Sequence, residues 1–162
     1  MTWITAKFPQ LPEAAQGRVR AYETTRQLNT QNGGASYSSY SSFNLATHVG
    51  DDSSAVTTNR ALLREELELP TEPYWLKQTH SSNVVILPDQ YNSEMETDAS
   101  VTSKTNTISA VMTADCLPLL VVDENATQVA AIHAGWRGLT AGIIEKTLAE
   151  FAAPAKALHV YL

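Results

Sequence analysis

The chain has 162 residues and a formal net charge of -6 at pH 7, with 43% hydrophobic and 17% charged residues. This length and composition predict one compact domain over residues 1–162 with a substantial hydrophobic core, and they exclude a disordered chain. Because the chain is acidic and has no basic cluster, it is a poor candidate for binding nucleic acid or an anionic membrane surface.

The cellular compartment is indicated by two features. Cys116 is the only cysteine, so an internal disulfide is impossible, and a free thiol suits a reducing compartment. Residues 1–7 lack the apolar stretch of a signal peptide, and no segment approaches the roughly 20 apolar residues that span a bilayer. The sequence therefore predicts a cytoplasmic protein without membrane partners.

Few elements are predicted in the first part of the chain. Residues 18–22 favour a short strand. Asp52 or Ser53 can cap a helix that runs to about Leu67 and ends before Pro70. The apolar residues of this helix lie roughly on one side: Val56, Leu62, Leu63 and Leu67.

After residue 73 the pattern changes to β-rich runs separated by turn residues. The predicted strands cover residues 74–78, 84–87, 107–112, 117–122 and 128–134, with a hairpin turn at residues 123–125. Apolar residues near helical spacing predict a helix over residues 139–153, and residues 157–162 favour a last strand. We therefore expect a mixed α/β (α+β) fold of β-sheets with packed helices, ending in a strand–helix–strand unit.

Three residues offer a set of metal ligands: His80, Cys116 and His133. One thiolate and two imidazoles can bind zinc and leave a fourth position for water, which points to catalysis because structural sites use four protein ligands. The same residues also fit a cysteine nucleophile with histidine bases. Their separations are not those of a zinc finger, and a single histidine is more often structural. Of the other histidines, His48 is expected to be a turn residue or to support a metal ligand from outside, and His159 is expected to pack within a strand.

Asp115 bears on the choice between these two interpretations. A neighbouring carboxylate raises the pKa of a free thiol, which disfavours a nucleophile. A bound cation reverses this effect and deprotonates the thiol. Asp115 therefore fits a metal site better, where it could orient a ligand or act as a general base.

The segment after His133 has the features of an anion site. Gly135 and Gly138 permit a tight turn with close backbone approach. The helix that follows offers free N–H groups and a partial positive charge at its N-terminus. Arg137 can bind a phosphate or carboxylate, although it could equally pair with a structural carboxylate.

Several motifs, in this order along the chain, resemble those of one protein family. They are Asn44-Leu45, His48-Val49-Gly50-Asp51-Asp52, Asn59-Arg60, Gln78-Thr79-His80, Thr113-Ala114-Asp115-Cys116-Leu117-Pro118 and His133-Ala134-Gly135-Trp136-Arg137-Gly138-Leu139. The family is YfiH/YlmD, also called the laccase-domain or "multicopper polyphenol oxidase" family, which includes the protein FAMIN. Two departures stand out. Gln78-Thr79-His80-Ser81 replaces the usual Gln-Val-His-Gly, and the resemblance implies that the chain lacks the family's C-terminal segment.

The resemblance implies a fold related to the catalytic domain of cytotoxic necrotizing factor, with zinc bound by His80, Cys116 and His133. It implies phosphorolysis of adenosine, inosine and methylthioadenosine, and deamination of adenosine. Bacterial members are also linked to peptidoglycan editing.

The leading hypothesis is a zinc-dependent purine nucleoside phosphorylase and adenosine deaminase, whose partners are a purine nucleoside and phosphate. Its candidate catalytic residues are Asp115, Cys116 and Arg137, and its candidate substrate-binding residues are Asn44, His48 and Arg60. A cysteine hydrolase or amidase acting on a peptidoglycan precursor is the alternative. Copper-dependent phenol oxidation is disfavoured, because a multicopper site needs about ten histidines and the chain has four. A non-catalytic fragment or partner-binding module is the remaining possibility.

Overall fold

The computed structural model describes residues 3–27 and 33–162. The chain divides into two compact units. The first unit comprises the described residues of Met1–Ala6 and Ala21–Glu72, and the second comprises Lys7–Arg20 and Pro73–Leu162. The single domain expected over residues 1–162 stays a prediction. Among the described helices, none has the length and apolarity to cross a membrane.

The first unit contains the predicted helix and a small two-stranded sheet. Strands β1 (Trp3–Thr5) and β2 (Tyr22–Thr24) pair in antiparallel fashion. The helix α1 (Ser53–Glu66) begins where predicted, because the Asp52 side chain accepts hydrogen bonds from the backbone N–H groups of Ser54 and Ala55 at 2.7 and 3.3 Å. The carboxylate thereby satisfies two of the N–H groups that the first turn of a helix leaves without partners.

The strand predicted over residues 18–22 is wrong in position. The observed strand begins at Tyr22, which the register places opposite Thr5, and one further hydrogen bond joins the Ala6 N–H to the Ala21 carbonyl at 2.9 Å. Residues 18–20 lie in the second unit.

The second unit is built on mixed β structure. Its strands are β3 (Tyr74–Trp75), β4 (Val84–Leu87), β5 (Ala99–Thr102), β6 (Ser109–Ala110), β7 (Leu117–Asp123), β8 (Val129–Ala134) and β9 (Leu158–Tyr161). The short strands β3 and β6 form a parallel pair. The other five form one sheet in the order β4-β5-β8-β7-β9, in which only β4 and β5 are parallel. The mixed α/β class is therefore confirmed.

Four of the predicted strands lie in the five-stranded sheet, two others are shorter than predicted and form the pair of β3 and β6, and the remaining strand of the sheet is not predicted. The strand over residues 84–87 is confirmed, and those over 117–122, 128–134 and 157–162 match to within one residue at each end. The strands over 74–78 and 107–112 shrink to the two residues each of β3 and β6. The sequence also misses β5, in which all four residues are buried. Because both faces of β5 are covered, it has no alternation of apolar and polar residues to mark it.

The helix predicted over residues 139–153 is interrupted. The structure has two short helices instead, α2 (Trp136–Thr140) and α3 (Ile143–Ala149). Gly142 separates them with a φ of 79°, a left-handed conformation that glycine adopts at little cost. The break directs Ile143 and Thr147 of α3 into the core, where both are fully buried. The predicted strand–helix–strand unit is present, but β7 lies between its two strands in the sheet.

The predicted turn after β7 is held together by the carboxylate of Asp123. This side chain accepts hydrogen bonds from the backbone N–H groups of Asn125, Thr127 and Gln128, at 3.3, 2.7 and 2.6 Å, and from the Thr127 hydroxyl at 2.9 Å. Burial on its own would raise the pKa of Asp123, but the hydrogen bonds from Gln128 and Thr127 outweigh it. The pKa therefore lies below its ordinary value.

We expect Asp123→Asn to lower the free energy of unfolding by roughly 1–3 kcal/mol at pH 7, because its amide N–H₂ would face N–H donors. The folded-state pKa of Asp123 is lowered, so its stabilisation is fully present above the unfolded pKa of about 4 and is lost as the pH falls through the folded value. Urea unfolding between pH 7 and pH 3 should show the difference between wild type and variant shrinking as the pH falls. A difference that stays constant over this range would contradict the assignment.

Candidate metal centre

Three segments of the second unit bring His80, Cys116 and His133 together. His133 lies at the end of β8, and Cys116 directly precedes β7, whose first residue Leu117 pairs with Ala134. His80 lies in the loop between β3 and β4. The three candidate ligand atoms all lie within 4.8 Å of one another. The rings of His80 and His133 have centroids 4.8 Å apart and are inclined at 71°.

The donor set and one of its distances fit a zinc ion. Zinc–sulfur bonds of about 2.3 Å and zinc–nitrogen bonds of about 2.0–2.1 Å at a tetrahedral angle place sulfur and nitrogen about 3.6 Å apart. The Cys116 Sγ and His80 Nε2 atoms are 3.6 Å apart. His133 is buried, Cys116 is half-buried and His80 is exposed, so the group is reachable from solvent on the side of His80.

Gly135 allows this close arrangement. A Cβ atom at this position would lie 2.7 Å from His80 Cδ2 and 3.0 Å from Cys116 Sγ. The first of these distances is shorter than carbon atoms tolerate, so any side chain here would displace a ligand. As expected, Gly135 permits a close backbone approach: the side chains of His80 and Cys116 pack directly against its Cα.

Asp98, a residue that no sequence motif marked, connects both histidines. Its Oδ1 accepts hydrogen bonds from His133 Nδ1 at 2.7 Å and from the backbone N–H of His80 at 3.0 Å. Its Oδ2 accepts from the backbone N–H groups of Thr79 and Ser81, at 3.2 and 2.7 Å, and from the Ser81 hydroxyl at 2.7 Å. The side chain is fully buried. The sequence offers only a general expectation, namely that a metal-binding histidine requires a hydrogen-bond partner for its second ring nitrogen. This expectation does not identify which residue is the partner.

Asp98 is held in its ionised form. Burial by itself would raise the pKa of Asp98, but the hydrogen bonds from His133, Ser81 and Thr79 outweigh this effect and leave the pKa below its ordinary value. At neutral pH the group is a carboxylate, which can only accept hydrogen bonds.

A second side chain joins the segments that carry His80 and Cys116. Gln78 Nε2 donates to the backbone carbonyl of Met112 at 2.7 Å, and the Met112 N–H donates to Gln78 Oε1 at 2.8 Å. Gln78 lies two residues before His80, and Met112 lies four residues before Cys116. This amide pair therefore fixes the two ligand-bearing segments side by side.

The surroundings of Cys116 disfavour a free nucleophilic thiolate. Partial burial raises the pKa of the thiol, and the charge of Asp115, a hydrogen bond to Asp115 and the charge of Asp98 raise it further. A nucleophilic cysteine requires the opposite shift. A bound cation would stabilise the thiolate in spite of these neighbours.

Arg137 and the helix after Gly135 differ from the expected anion site. The helix α2 has only five residues, so few peptide dipoles contribute to its N-terminus, and the anion attraction expected from the helix is smaller than predicted. The exposed Arg137 has its guanidinium 4.4 Å from the centre of the Trp136 ring. The ion pairs within residues 3–27 and 33–162 do not include Arg137. An anion site in this region would therefore have to rely on Arg137 itself, and the anion-binding role of Arg137 stays a prediction.

The candidate substrate-binding residues Asn44, His48 and Arg60 all belong to the first unit. Asn44 donates to Asp51 and to the carbonyl of Ala46, both at 3.0 Å. Arg60 donates to the carbonyl of Leu45 through Nε and Nη2, at 3.0 and 2.8 Å. His48 is exposed in a bend. Asn44 and Arg60 thus stabilise one loop, and the substrate-binding role of all three residues stays a prediction.

Comparisons with known proteins identify the family. The family model described as multi-copper polyphenol oxidoreductase laccase matches residues 25–162. The chain is 48% identical over 136 residues to a purine nucleoside phosphorylase of Haemophilus influenzae, a match that covers 83% of this chain and 53% of the relative. It is 44% identical over 124 residues to the purine nucleoside phosphorylase YfiH of Escherichia coli, covering 76% of this chain and 51% of that relative.

Solved structures share the fold. A Neisseria meningitidis protein superposes with a TM-score of 0.86 at 39% identity, covering 99% of this chain and 62% of that chain. YlmD from Geobacillus stearothermophilus superposes with a TM-score of 0.70 at 31% identity, covering 79% of this chain and 53% of that chain. The chain spans about half the length of the curated relatives it matches. By its sequence and its fold, the chain belongs to the laccase-domain family to which YfiH and YlmD belong.

Proposed function

We propose that this chain carries the zinc centre of a purine nucleoside phosphorylase that also deaminates adenosine. The convergence of His80, Cys116 and His133, with its 3.6 Å sulfur–nitrogen distance, is the observation that carries the proposal. The names of the Haemophilus influenzae and Escherichia coli relatives support a purine nucleoside and phosphate as substrates. Adenosine, inosine and methylthioadenosine are the nucleosides that we expect it to use.

The residues around the centre have separate roles in this proposal. His80, Cys116 and His133 hold the zinc ion, which supplies Lewis acidity. Asp115 is exposed and directly precedes Cys116, so in this proposal its carboxylate takes up and releases a proton beside the metal. Arg137 binds phosphate through its planar guanidinium, which matches two phosphate oxygens at once. Cys116 acts as a ligand and does not attack the substrate.

Zinc suits the chemistry of this centre better than copper. The family description names a multi-copper oxidoreductase, but a multicopper cluster needs about ten histidine ligands and the whole chain contains four. One thiolate with two imidazoles is a set that zinc binds with an open fourth position.

We expect Cys116→Ala to remove stoichiometric zinc and, with it, phosphorolysis and deamination of adenosine. Removing the thiolate leaves two imidazoles, too few ligands to retain zinc at low concentration. Metal analysis of the purified protein by mass spectrometry and chromatographic assay of adenine and inosine provide the two measurements. His159→Ala is the control, because this histidine lies in β9 outside the ligand group and its loss should leave the zinc content unchanged.

The cysteine hydrolase alternative predicts a different metal content and thiol reactivity for the wild-type protein. A wild-type protein free of metal, with a Cys116 thiol that iodoacetamide alkylates rapidly, would contradict the zinc centre.

We expect Arg137→Gln to affect phosphorolysis selectively. Loss of a charged pair with phosphate should raise the KM for phosphate about 10- to 100-fold, whereas deamination, which uses water and no phosphate, should change by less than about threefold. Initial rates at varied phosphate concentration measure the first reaction, and conversion of adenosine to inosine without phosphate measures the second. Arg64→Gln, at another exposed arginine, controls for the loss of a positive charge. Equal losses in both reactions would contradict the phosphate role.

A further inference from the structure

We propose that Asp98 is the positioning residue of the metal centre, since one buried carboxylate selects the tautomer of His133 and holds the turn that presents His80. This inference rests on the proposed metal centre and is independent of the nucleoside chemistry.

The first effect of Asp98 concerns the proton on His133. A carboxylate oxygen can only accept a hydrogen bond, so the 2.7 Å contact with Asp98 Oδ1 requires the proton to lie on His133 Nδ1. An imidazole binds a metal in its neutral form, which carries one N–H, so with the proton on Nδ1 it is Nε2 that has the free lone pair. Asp98 thus leaves Nε2 as the atom that His133 can offer to a metal ion.

The second effect concerns the backbone around His80. Three consecutive N–H groups, those of Thr79, His80 and Ser81, donate to the same carboxylate. His80 has a φ of 62°, a left-handed conformation that non-glycine residues keep only where their surroundings impose it. The three hydrogen bonds impose it here and determine the direction in which the His80 side chain leaves the backbone.

Asp98 is itself fixed by its backbone. Its carbonyl accepts a hydrogen bond from the His133 N–H at 2.8 Å, and its N–H donates to the carbonyl of Asn83 at 3.1 Å. The residue therefore keeps its position relative to both β8 and the loop that contains His80. A change in the side chain alone, which leaves these backbone bonds in place, should disturb the two histidines without unfolding the sheet.

An amide at this position cannot satisfy the same donors in either orientation. If the N–H₂ group of Asp98→Asn takes the place of Oδ2, it faces the N–H groups of Thr79 and Ser81. If it takes the place of Oδ1, it faces the His80 N–H and donates to His133 Nδ1, which moves the histidine proton to Nε2. The first orientation disturbs the His80 turn, and the second removes the lone pair of His133 that a metal needs.

Cobalt(II) titration of the metal-free protein tests this proposal, with the thiolate-to-cobalt absorption and the visible bands of cobalt as readouts. We expect Asp98→Asn to weaken cobalt binding about 10- to 100-fold. Asp123→Asn is the matched control, because Asp123 is a buried carboxylate that accepts backbone and hydroxyl hydrogen bonds in the same unit, but none from a candidate ligand. It should bind cobalt within about threefold of wild type.

Long-range ¹H–¹⁵N correlation spectra of the imidazole rings give a second readout that loss of stability alone would not change. Wild-type His133 should be the Nδ1–H tautomer, and Asp98→Asn should populate the Nε2–H tautomer. Asp98→Glu keeps a carboxylate and should restore the Nδ1–H tautomer. If Asp98→Asn does not fold, the tautomer of His133 is measured in Asp98→Glu instead. An Nε2–H tautomer in that variant would overturn the proposal.

The possible outcomes separate the inference from the proposed function. Unchanged cobalt affinity and tautomer in Asp98→Asn would overturn the positioning role, and so would equal losses of affinity in Asp98→Asn and Asp123→Asn. A wild-type protein that binds cobalt and zinc but does not turn over nucleosides would reject only the proposed function. A wild-type protein that binds neither metal would reject both.

Discussion

The hydrogen bonds accepted by the buried carboxylate of Asp98 are the interaction on which the candidate metal centre depends. A buried charge is costly unless hydrogen bonds replace its hydration, and here five donors from His133 and the loop of His80 do so. Because the donors belong to two separate segments, the charge is satisfied only when both segments are in place. The hydrogen bonds to this buried charge therefore stabilise the centre in addition to packing, and both histidines bind the same carboxylate.

The order of strands explains why these residues meet. In the five-stranded sheet, β5 and β7 lie on either side of β8 and both run antiparallel to it. The starts of β5 and β7 therefore lie beside the end of β8. Asp98 directly precedes β5, Cys116 directly precedes β7, and His133 is near the end of β8, so the topology alone brings a carboxylate, a thiol and an imidazole to one edge of the sheet. The loop of His80 completes the group through its bonds to Asp98.

Residue chemistry and local patterns predict part of this arrangement. The capping residue Asp52 and the apolar strand runs mark α1, β4, β7 and β8, and the scarcity of thiol and imidazole groups singles out residues that the structure brings together. The strand β5 carries no such mark, since it is short, consists of small or β-branched residues and is buried on both faces. Asp98 is equally unmarked, because its partner His133 is 35 residues away and no spacing rule links a carboxylate to a histidine across a sheet. The break at Gly142 depends on how α3 packs on the core, and this packing cannot be predicted from helical periodicity.

The charges around Cys116 argue for a divalent cation as the group that this site accommodates. A thiolate here would lie near the carboxylates of Asp115 and Asp98, and both of them raise the pKa of the thiol. With neutral histidines, the group would carry three negative charges, which is unfavourable in a half-buried position. A divalent cation reduces this to one and allows the thiolate to form. In the proposed function, the remaining negative charge would repel phosphate, and the positive charge of Arg137, two residues after Gly135 in the sequence, would oppose that repulsion. The same charges explain why the surroundings of Cys116 disfavour a nucleophilic thiolate in the absence of a metal.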